Sequence, residues 1–200
     1  MRNIWPVIAL TLILAPAVQA QEAEDTAPSV EVAEPKQSPA ELRADSLDRL
    51  FASLRREARS GDAKRIEQKI WDLWNASDSP TAEVLLRQAS KAMDEGAPEE
   101  SLKILDRLIG AHPDFPEAWN RRATLYFLMK DYEKSLADID KVLELEPRHF
   151  GALSGKGMIL QRQKKYSQAI EAYGEALSMN PAMEGPKDAL KELERLERGI

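Results

Sequence analysis

Three prolines lie 34 residues apart, at Pro113, Pro147 and Pro181, and the residues before each of them repeat one pattern of large and small side chains. A fixed period of this length is typical of an array in which each unit is a pair of helices. One such unit cannot bury its apolar face alone, so the period requires neighbouring units to stack on one continuous core. The repeat windows that follow from these prolines are 82–115, 116–149 and 150–183.

Each window contains two sets of three residues, and spacings of three and four place each set on one face of a helix. The first-helix sets are Leu85, Ala89, Ala92; Trp119, Ala123, Tyr126; and Leu153, Gly157, Leu160. The second-helix sets are Ser101, Leu105, Leu108; Ser135, Ile139, Val142; and Ala169, Tyr173, Ala176. In each set a small residue allows two helices to approach, and the larger residues fill the space between them.

The middle window carries the most complete pattern. Its defining residues are Trp119, Ala123, Tyr126, Ser135, Ile139, Val142 and Pro147. In this order and spacing they resemble the tetratricopeptide repeat (TPR), whereas the flanking windows have Leu85 and Leu153 in place of the first aromatic residue. The resemblance implies a right-handed helical solenoid with a concave groove that binds a peptide or a partner helix, and it implies no catalytic chemistry.

Further helices are expected on both sides of the repeats. Ser38, Pro39 and Glu41 form the start signal of a helix, with Ser38 as its cap. Apolar stripes at helical spacing follow, comprising Leu47, Leu50, Phe51 and Leu54 in one helix and Ile66, Ile70, Leu73 and Trp74 in the next. After the repeats, a terminal helix is expected to pack through Leu190, Leu193 and Leu196.

These patterns predict an all-α TPR solenoid with three full repeats, a degenerate N-terminal hairpin and a C-terminal capping helix. The predicted boundaries are 38–78 for the hairpin, 79–183 for the three repeats and 184–200 for the capping helix. Trp71 and Trp74 share one side of the hairpin's second helix. We interpret them as core residues, with Trp74 packed toward the next hairpin; the alternative is an exposed recognition patch.

The first 20 residues have the three-part plan of a secretory signal peptide. Arg2 supplies a positive charge, residues 4–18 carry none, and Val18-Gln19-Ala20 offers a cleavage site. We expect cleavage after Ala20, which predicts a periplasmic or secreted protein. The uncharged run is short for a hydrocarbon core of ~30 Å, so no permanent membrane insertion is expected, and an anchor is the alternative.

Residues 21–37 are rich in Ala, Glu, Pro and Val and show no helical or strand period. Such a segment cannot bury enough apolar surface to offset its ordering entropy. We therefore predict a disordered acidic linker, which serves either as a spacer or as a binding tail.

The composition argues against catalysis and against nucleic-acid binding. Cysteine is absent, and His112 and His149 lie near repeat prolines without the spacing of metal ligands, so we interpret them as turn residues. No motif for an activated nucleophile or a phosphate loop occurs. A formal charge of −6 without a clustered positive surface disfavours nucleic acid as the partner. We predict no enzyme activity, no cofactor and no metal site.

The TPR resemblance also implies which side chains line the groove. Carried onto this sequence, they are Leu86, Ser90, Met93, Asn120, Thr124, Phe127, Ser154, Met158 and Arg162, together with Glu83, Glu117, Leu128 and Gln161. Some TPR domains clamp the C-terminal carboxylate of a peptide with lysine and asparagine side chains. The matching sites here hold Leu86, Ser90, Arg121, Gly151 and Gly155, so we expect no such clamp.

The expected function is that of a non-catalytic protein–protein interaction module of the bacterial periplasm. It binds a peptide or a helix of an envelope partner in the concave groove, where methionine adapts to irregular ligands. The alternative is a membrane-tethered assembly factor or co-chaperone whose N-terminal segment is not cleaved. A further possibility is that the acidic linker or the terminal helix of the chain itself fills the concave face.

Overall fold

The computed structural model describes residues 37–57 and 61–197. This part of the chain forms nine α-helices and contains no β-strand. The helices are α1 (Pro39–Arg56), α2 (Ala63–Asn75), α3 (Pro80–Asp94), α4 (Pro98–Ala111), α5 (Pro116–Leu128), α6 (Tyr132–Leu145), α7 (Phe150–Arg162), α8 (Tyr166–Met179) and α9 (Glu184–Glu197). The predicted all-α TPR solenoid is confirmed. The expected signal peptide, its cleavage after Ala20 and almost all of the expected acidic linker lie outside the described residues.

Local sequence signals account for where the helices begin. At α1 the Ser38 hydroxyl accepts a hydrogen bond from the backbone N–H of Glu41 at 3.2 Å. The Glu41 carboxylate in turn accepts from the backbone N–H of Ser38 at 2.7 Å, which completes the expected capping box. Ser79 and Asp131 cap α3 and α6 by accepting from the N–H three residues further on.

The turn between the two helices of each repeat has the same conformation three times. Gly96, Lys130 and Lys164 occupy equivalent positions and have φ angles of 75°, 63° and 60°. The residue after each of them donates its N–H to a carbonyl five residues earlier, at 2.8 to 2.9 Å. This is the left-handed turn that ends a helix, and glycine adopts it without the steric cost that lysine bears.

Within the hairpins, buried serines join the paired helices. The Ser101 hydroxyl donates to the carbonyl of Ala89 at 2.9 Å, and the Ser135 hydroxyl donates to the carbonyl of Ala123 at 2.7 Å. Both serines are buried, so the facing helix satisfies hydroxyls that water cannot reach. Serine therefore fits a position at which packing alone requires only a small residue.

Successive repeats share an apolar core and a charged cross-link. Trp119 packs against the clusters on both sides of α5. Arg122 forms two hydrogen bonds with Asp138, each of 2.8 Å, and one with Asp106 at 2.7 Å, so that it joins α4, α5 and α6. The hydrogen bonds to Asp138 raise the pKa of Arg122 above its usual range, and the cross-link therefore stays charged.

The N-terminal hairpin forms as expected, but it does not pack in the order of the sequence. Its apolar cluster, which contains Phe51, Ile70 and Trp74, includes Phe150 of α7 and no residue of α3 or α4. The ring centroids of Trp74 and Phe150 lie 4.9 Å apart. The expectation that Trp74 packs toward the next hairpin is therefore wrong. The physical reason is that the start of α7 offers aromatic surface, whereas α3 and α4 contain no aromatic residue.

The last helix, α9, packs on the third repeat through one side. Leu193 is fully buried in a cluster with Leu160 and Tyr173, and Leu190 is half-buried. Leu196 is 49% exposed, so its expected place on the packed side is wrong. Three-residue steps fall short of the 3.6-residue helical turn, and a stripe of such steps rotates away from the core.

Gly157 marks a point at which the packing of α7 on α8 leaves no room for a side chain. A Cβ there would lie 2.7 Å from ring carbons of Tyr173, whereas a Cβ on Gly174 of α8 would meet no atom within 4 Å. We expect Gly157→Ala to destabilise the fold by about 1–3 kcal/mol through overpacking. The matched change Gly174→Ala should stabilise it by up to about 1 kcal/mol through helix propensity. Urea denaturation measures both, and an unchanged midpoint for Gly157→Ala would contradict this packing.

Candidate functional site

A groove of about 320 Å³ lies between α5 and α7, the first helices of the second and third repeats. We call it the central groove. Its lining comprises Asn120, Ala123, Thr124, Phe127, Leu128, Ser135, Ile139, Gly151, Ala152, Ser154, Gly155, Met158, Ile159 and Met183. Residues from two repeats thus form one concave surface, which neither repeat offers by itself.

The central groove has a buried floor and an exposed apolar rim. Ala123, Ala152 and Ile159 are buried members of the core cluster that joins α5, α6 and α7. On the rim, Leu128 is 60% exposed and Met158 is 41% exposed. Large apolar side chains that stay exposed beside a cavity are typical of surfaces that bury further area on binding.

Polar groups of the central groove differ in whether a neighbour already uses them. The Thr124 hydroxyl donates to the carbonyl of Asn120 at 2.9 Å, within the same helix. The Asn120 amide nitrogen donates to Glu117 at 3.0 Å, which leaves the amide oxygen as an acceptor. The Ser154 hydroxyl makes no hydrogen bond to another residue of the described part of the chain. Asn120 and Ser154 therefore keep hydrogen-bonding capacity for a ligand.

The structure brings Asn120, Thr124, Phe127, Ser154 and Met158 together in the central groove. The guanidinium of Arg162 lies beside them, over the ring of Phe127 and 5.3 Å from its centroid. At this distance the ring face attracts the cation. These six predicted residues thus form one site.

The predicted residues of the first repeat lie elsewhere. Leu86 and Ser90 line a separate cavity of about 550 Å³ between α2, α3 and α5. Leu86 is buried in the first core cluster, and Met93 packs against that cluster. The Ser90 hydroxyl donates to the carbonyl of Leu86 at 3.0 Å. These residues therefore do not continue the central groove as one strip.

Glu117, which the TPR resemblance placed beside the groove, is fully buried. Its carboxylate accepts from Asn120 and lies 3.0 Å from Nε of Arg121 and 3.3 Å from Nε2 of His149. Arg121 also donates to the side-chain oxygen of Asn75 in α2 at 3.3 Å. A buried carboxylate is tolerated when partners surround it in this way. The expectation that Glu117 faces the groove is wrong, because its carboxylate is buried against Arg121 and His149.

His149 begins α7, as its interpretation as a turn residue implied, but it is also part of this buried network. Its Nδ1 accepts from the backbone N–H of Ala152 at 3.1 Å and thereby caps the helix. Nε2 must then carry the ring hydrogen that is donated to Glu117. The ring stacks on Trp74 at 4.1 Å between centroids, with an angle of 12° between the planes.

Trp71 covers the start of α7 at Gly151. A Cβ on Gly151 would lie 2.6 Å from Cη2 of Trp71, so only glycine fits beneath the indole. Trp74 is 5% exposed and Trp71 is half-buried, which agrees with their interpretation as core residues. The sequence analysis did not identify the start of α7 as the surface on which these tryptophans pack. Gly151, a glycine inside a helix, indicates a close contact but not the residue that makes it.

The same packing bears on the carboxylate clamp of other TPR domains. Arg121, the cation at the matching positions, is held by Glu117 and Asn75. Gly151 lies beneath Trp71. Both positions are therefore engaged by contacts within the chain.

A second contact holds the N-terminal hairpin from the side of α1. Arg148 donates two hydrogen bonds to the carboxylate of Glu146, at 2.8 and 2.9 Å, and a third to Asp48 of α1. Its guanidinium also lies 4.8 Å from the ring centroid of Phe51. The turn before α7 therefore contacts α1 through Arg148 and α2 through His149.

Within residues 37–57 and 61–197, no cluster of three histidine, aspartate or glutamate side chains is placed to hold a metal ion. In this same part of the chain, none of the helices has both the length and the apolarity that crossing a membrane requires. The central groove offers apolar surface, hydrogen-bonding groups and one cation beside it. Ligand-binding sites combine apolar surface with a few polar groups in this way.

The tetratricopeptide repeat family model matches residues 116–149 and 151–183. A TPR repeat-containing protein of Rhizobium etli is 43% identical over 136 residues, which is 68% of this chain and 67% of the relative. The chain therefore belongs to the TPR family.

More distant relatives share part of their length with the chain. The SGT1 homolog of Bos taurus is 33% identical over 98 residues, which is 49% of this chain and 29% of that protein. The structure of the first TPR of Spaghetti (RPAP3), bound to an HSP90 peptide, has a TM-score of 0.58 at 22% identity and covers 60% of this chain and 96% of that one. The Sgt2 TPR domain from Aspergillus fumigatus has a TM-score of 0.56 at 20% identity, with coverages of 60% and 81%. At these identities the two structures show the shared fold.

The ion pair between Glu146 and Arg148 makes the stability of the fold depend on pH. Burial opposes the charge of Glu146, but hydrogen bonds from the side chain and backbone of Arg148 outweigh it and lower the pKa of Glu146 below its usual 4.5. The pair therefore stabilises the fold above the unfolded-state pKa, and this contribution is lost as the pH falls through the folded-state pKa. We expect Glu146→Gln to reduce the loss of stability between about pH 5 and pH 3 in urea denaturation.

The matched control is Glu144→Gln, at an exposed glutamate in the last turn of α6 that pairs with Lys141. It should leave the pH dependence close to that of the wild type. Equal pH profiles for Glu146→Gln and the wild type would contradict the role given to the Arg148 pair.

Proposed function

We propose that this chain is a non-catalytic protein–protein interaction module of a bacterial periplasm, and that it binds a peptide or a helix of an envelope partner in the central groove. One observation carries the proposal. Leu128 and Met158 remain exposed beside a cavity formed by two repeats, although a chain of this size buries most of its large apolar side chains.

The geometry of the central groove supports a peptide or helix as the ligand. The apolar rim supplies the area whose burial drives association. Ser154 and the amide oxygen of Asn120 supply hydrogen bonds that fix the register of the bound segment. Met158 adapts its shape to the ligand because its side chain is unbranched and polarizable.

Proteins similar to this chain support a peptide as the ligand. The RPAP3 domain is bound to an HSP90 peptide in its structure, and the Hsp70-Hsp90 organizing protein 3 of Arabidopsis thaliana is 25% identical to this chain over 142 residues. Because Arg121 is already paired and Gly151 is covered, we propose a different kind of ligand for this chain, one that is not held by a clamped C-terminal carboxylate.

The periplasmic setting rests on the N-terminal sequence. Residues 4–18 carry no charge, and Val18-Gln19-Ala20 provides a cleavage site. We expect the exported protein to begin at Gln21, and mass spectrometry of the protein from its bacterial source measures this. A chain that retains residues 1–20 would support the alternative of a membrane-tethered assembly factor instead.

The rim of the central groove can be tested by substitution. Phe127→Ala combined with Met158→Ala removes apolar area from both walls, and we expect partner affinity to fall by about ten- to a hundredfold. The fold should remain nearly intact because both side chains are partly exposed. Envelope proteins that the wild type captures are identified, purified and titrated against each variant by calorimetry.

The matched control is Val84→Ala combined with Leu145→Ala, which removes exposed apolar side chains outside the central groove. It should leave the affinity unchanged. An equal affinity of the wild type and the Phe127/Met158 variant would place the binding site outside the central groove.

A further inference from the structure

We propose that the central groove selects its ligand by one large apolar side chain, inserted between α5 and α7, together with a carboxylate next to it that pairs with Arg162. The ligand is thus a segment in which an acidic residue lies close to Leu, Ile, Phe or Met. This inference rests on the proposed function and names the chemistry of the partner.

The lining of the central groove suits an apolar side chain better than a charged one. The chain is 31% charged, yet no residue that lines the central groove carries a formal charge. A charged ligand group placed there would lose its hydration without gaining a partner of opposite charge. An apolar side chain gains free energy in proportion to the area that it buries. The groove itself therefore favours an apolar anchor.

The shape of the central groove also favours a single apolar anchor. Its floor includes the small residues Ala123, Ala152 and Gly155 beside Ile159, and its rim includes the large side chains of Phe127 and Met158. A cavity bounded by large side chains accommodates a single protruding side chain better than a flat surface does. An anchor of this kind, fully desolvated in a pocket, contributes most of the affinity in many interfaces.

The packing of the helices does not require a glycine at position 155. A Cβ there would meet only Cδ1 of Ile139, at an ordinary 3.6 Å, whereas a Cβ on Gly151 or Gly157 would collide with an aromatic ring. Glycine inside a helix is less favourable than alanine by about 1 kcal/mol. The physical effect of Gly155 is to keep the floor of the central groove open.

Arg162 places a positive charge beside the central groove. The guanidinium of Arg162 rests on the ring of Phe127, and it forms no ion pair with a carboxylate of the described residues. In contrast, Arg121, Arg122 and Arg148 are all paired. The ring excludes water from one face of Arg162 and limits its motion, so the cation is already positioned for an incoming carboxylate.

The test uses a displayed library of random twelve-residue peptides, selected on the chain from Gln21 to Ile200. Wild-type selections should be enriched in peptides with a large apolar residue and an Asp or Glu within four positions of it. The best peptides are then synthesised, and their affinities for each variant are measured by fluorescence polarisation. Thermal melting establishes that every variant is folded.

Two variants separate the two parts of the proposal. Gly155→Leu fills the floor with a side chain and should weaken binding of the selected peptides by at least about tenfold, a change of 1.4 kcal/mol. Arg162→Glu should weaken acidic peptides by a similar factor, and selection on this variant should yield basic residues next to the apolar anchor. The matched controls are Gly174→Leu and Arg107→Glu, at exposed positions outside the groove, and they should bind as the wild type does.

The outcomes distinguish this inference from the proposed function. Selected peptides that lack an apolar anchor or an acidic residue, or that bind Gly155→Leu and Arg162→Glu as tightly as the wild type, would overturn the inference. The proposed function would still hold if those peptides were lost from the Phe127→Ala/Met158→Ala variant. A library in which no peptide prefers the wild type to that double variant contradicts both.

Discussion

The distance between paired helices is the constraint on which the rest of the structure depends. Ser101 and Ser135 allow the helices of their hairpins to approach until each hydroxyl reaches a carbonyl of the facing helix. Gly157 does the same in the third repeat, where the ring of Tyr173 lies against the backbone of α7. Because interiors are close-packed, these small residues set the positions of α5 and α7. The width of the central groove follows from those positions.

The helical hairpins were predictable because their contacts join residues within one period of the sequence. Asn120 and Phe127 were placed on the groove by their positions in the TPR pattern, and both line the central groove. The packing of α2 follows no period, since Trp71 and Gly151 are remote in the chain and neither residue by itself indicates the other. Leu86 has the register of a groove residue, yet it is buried in the first core.

Glu117 shows how a costly group specifies one arrangement of helices. A carboxylate removed from water destabilises a fold unless its oxygens find partners. Glu117 finds them in Asn120 and Arg121 of α5 and in His149 at the start of α7, while Arg121 reaches Asn75 of α2. All of these contacts exist together only when the three helices are in place. Such a network contributes by fixing the position of the hairpin, because its contacts form only in this arrangement of the helices.

The hydrogen bond between Asp48 and Arg148 joins residues that are 100 positions apart. In an array whose units touch only their neighbours, unfolding begins at an end and spreads inward, and units can be added or removed. Here the first hairpin contacts the start of α7, and this contact closes a ring that contains the first two repeats. Neither of them detaches without breaking contacts of the third, so we expect slower folding and a single cooperative unfolding transition. Gain or loss of a single repeat inside that ring would separate the two ends that it joins, which restricts how this array can evolve in length.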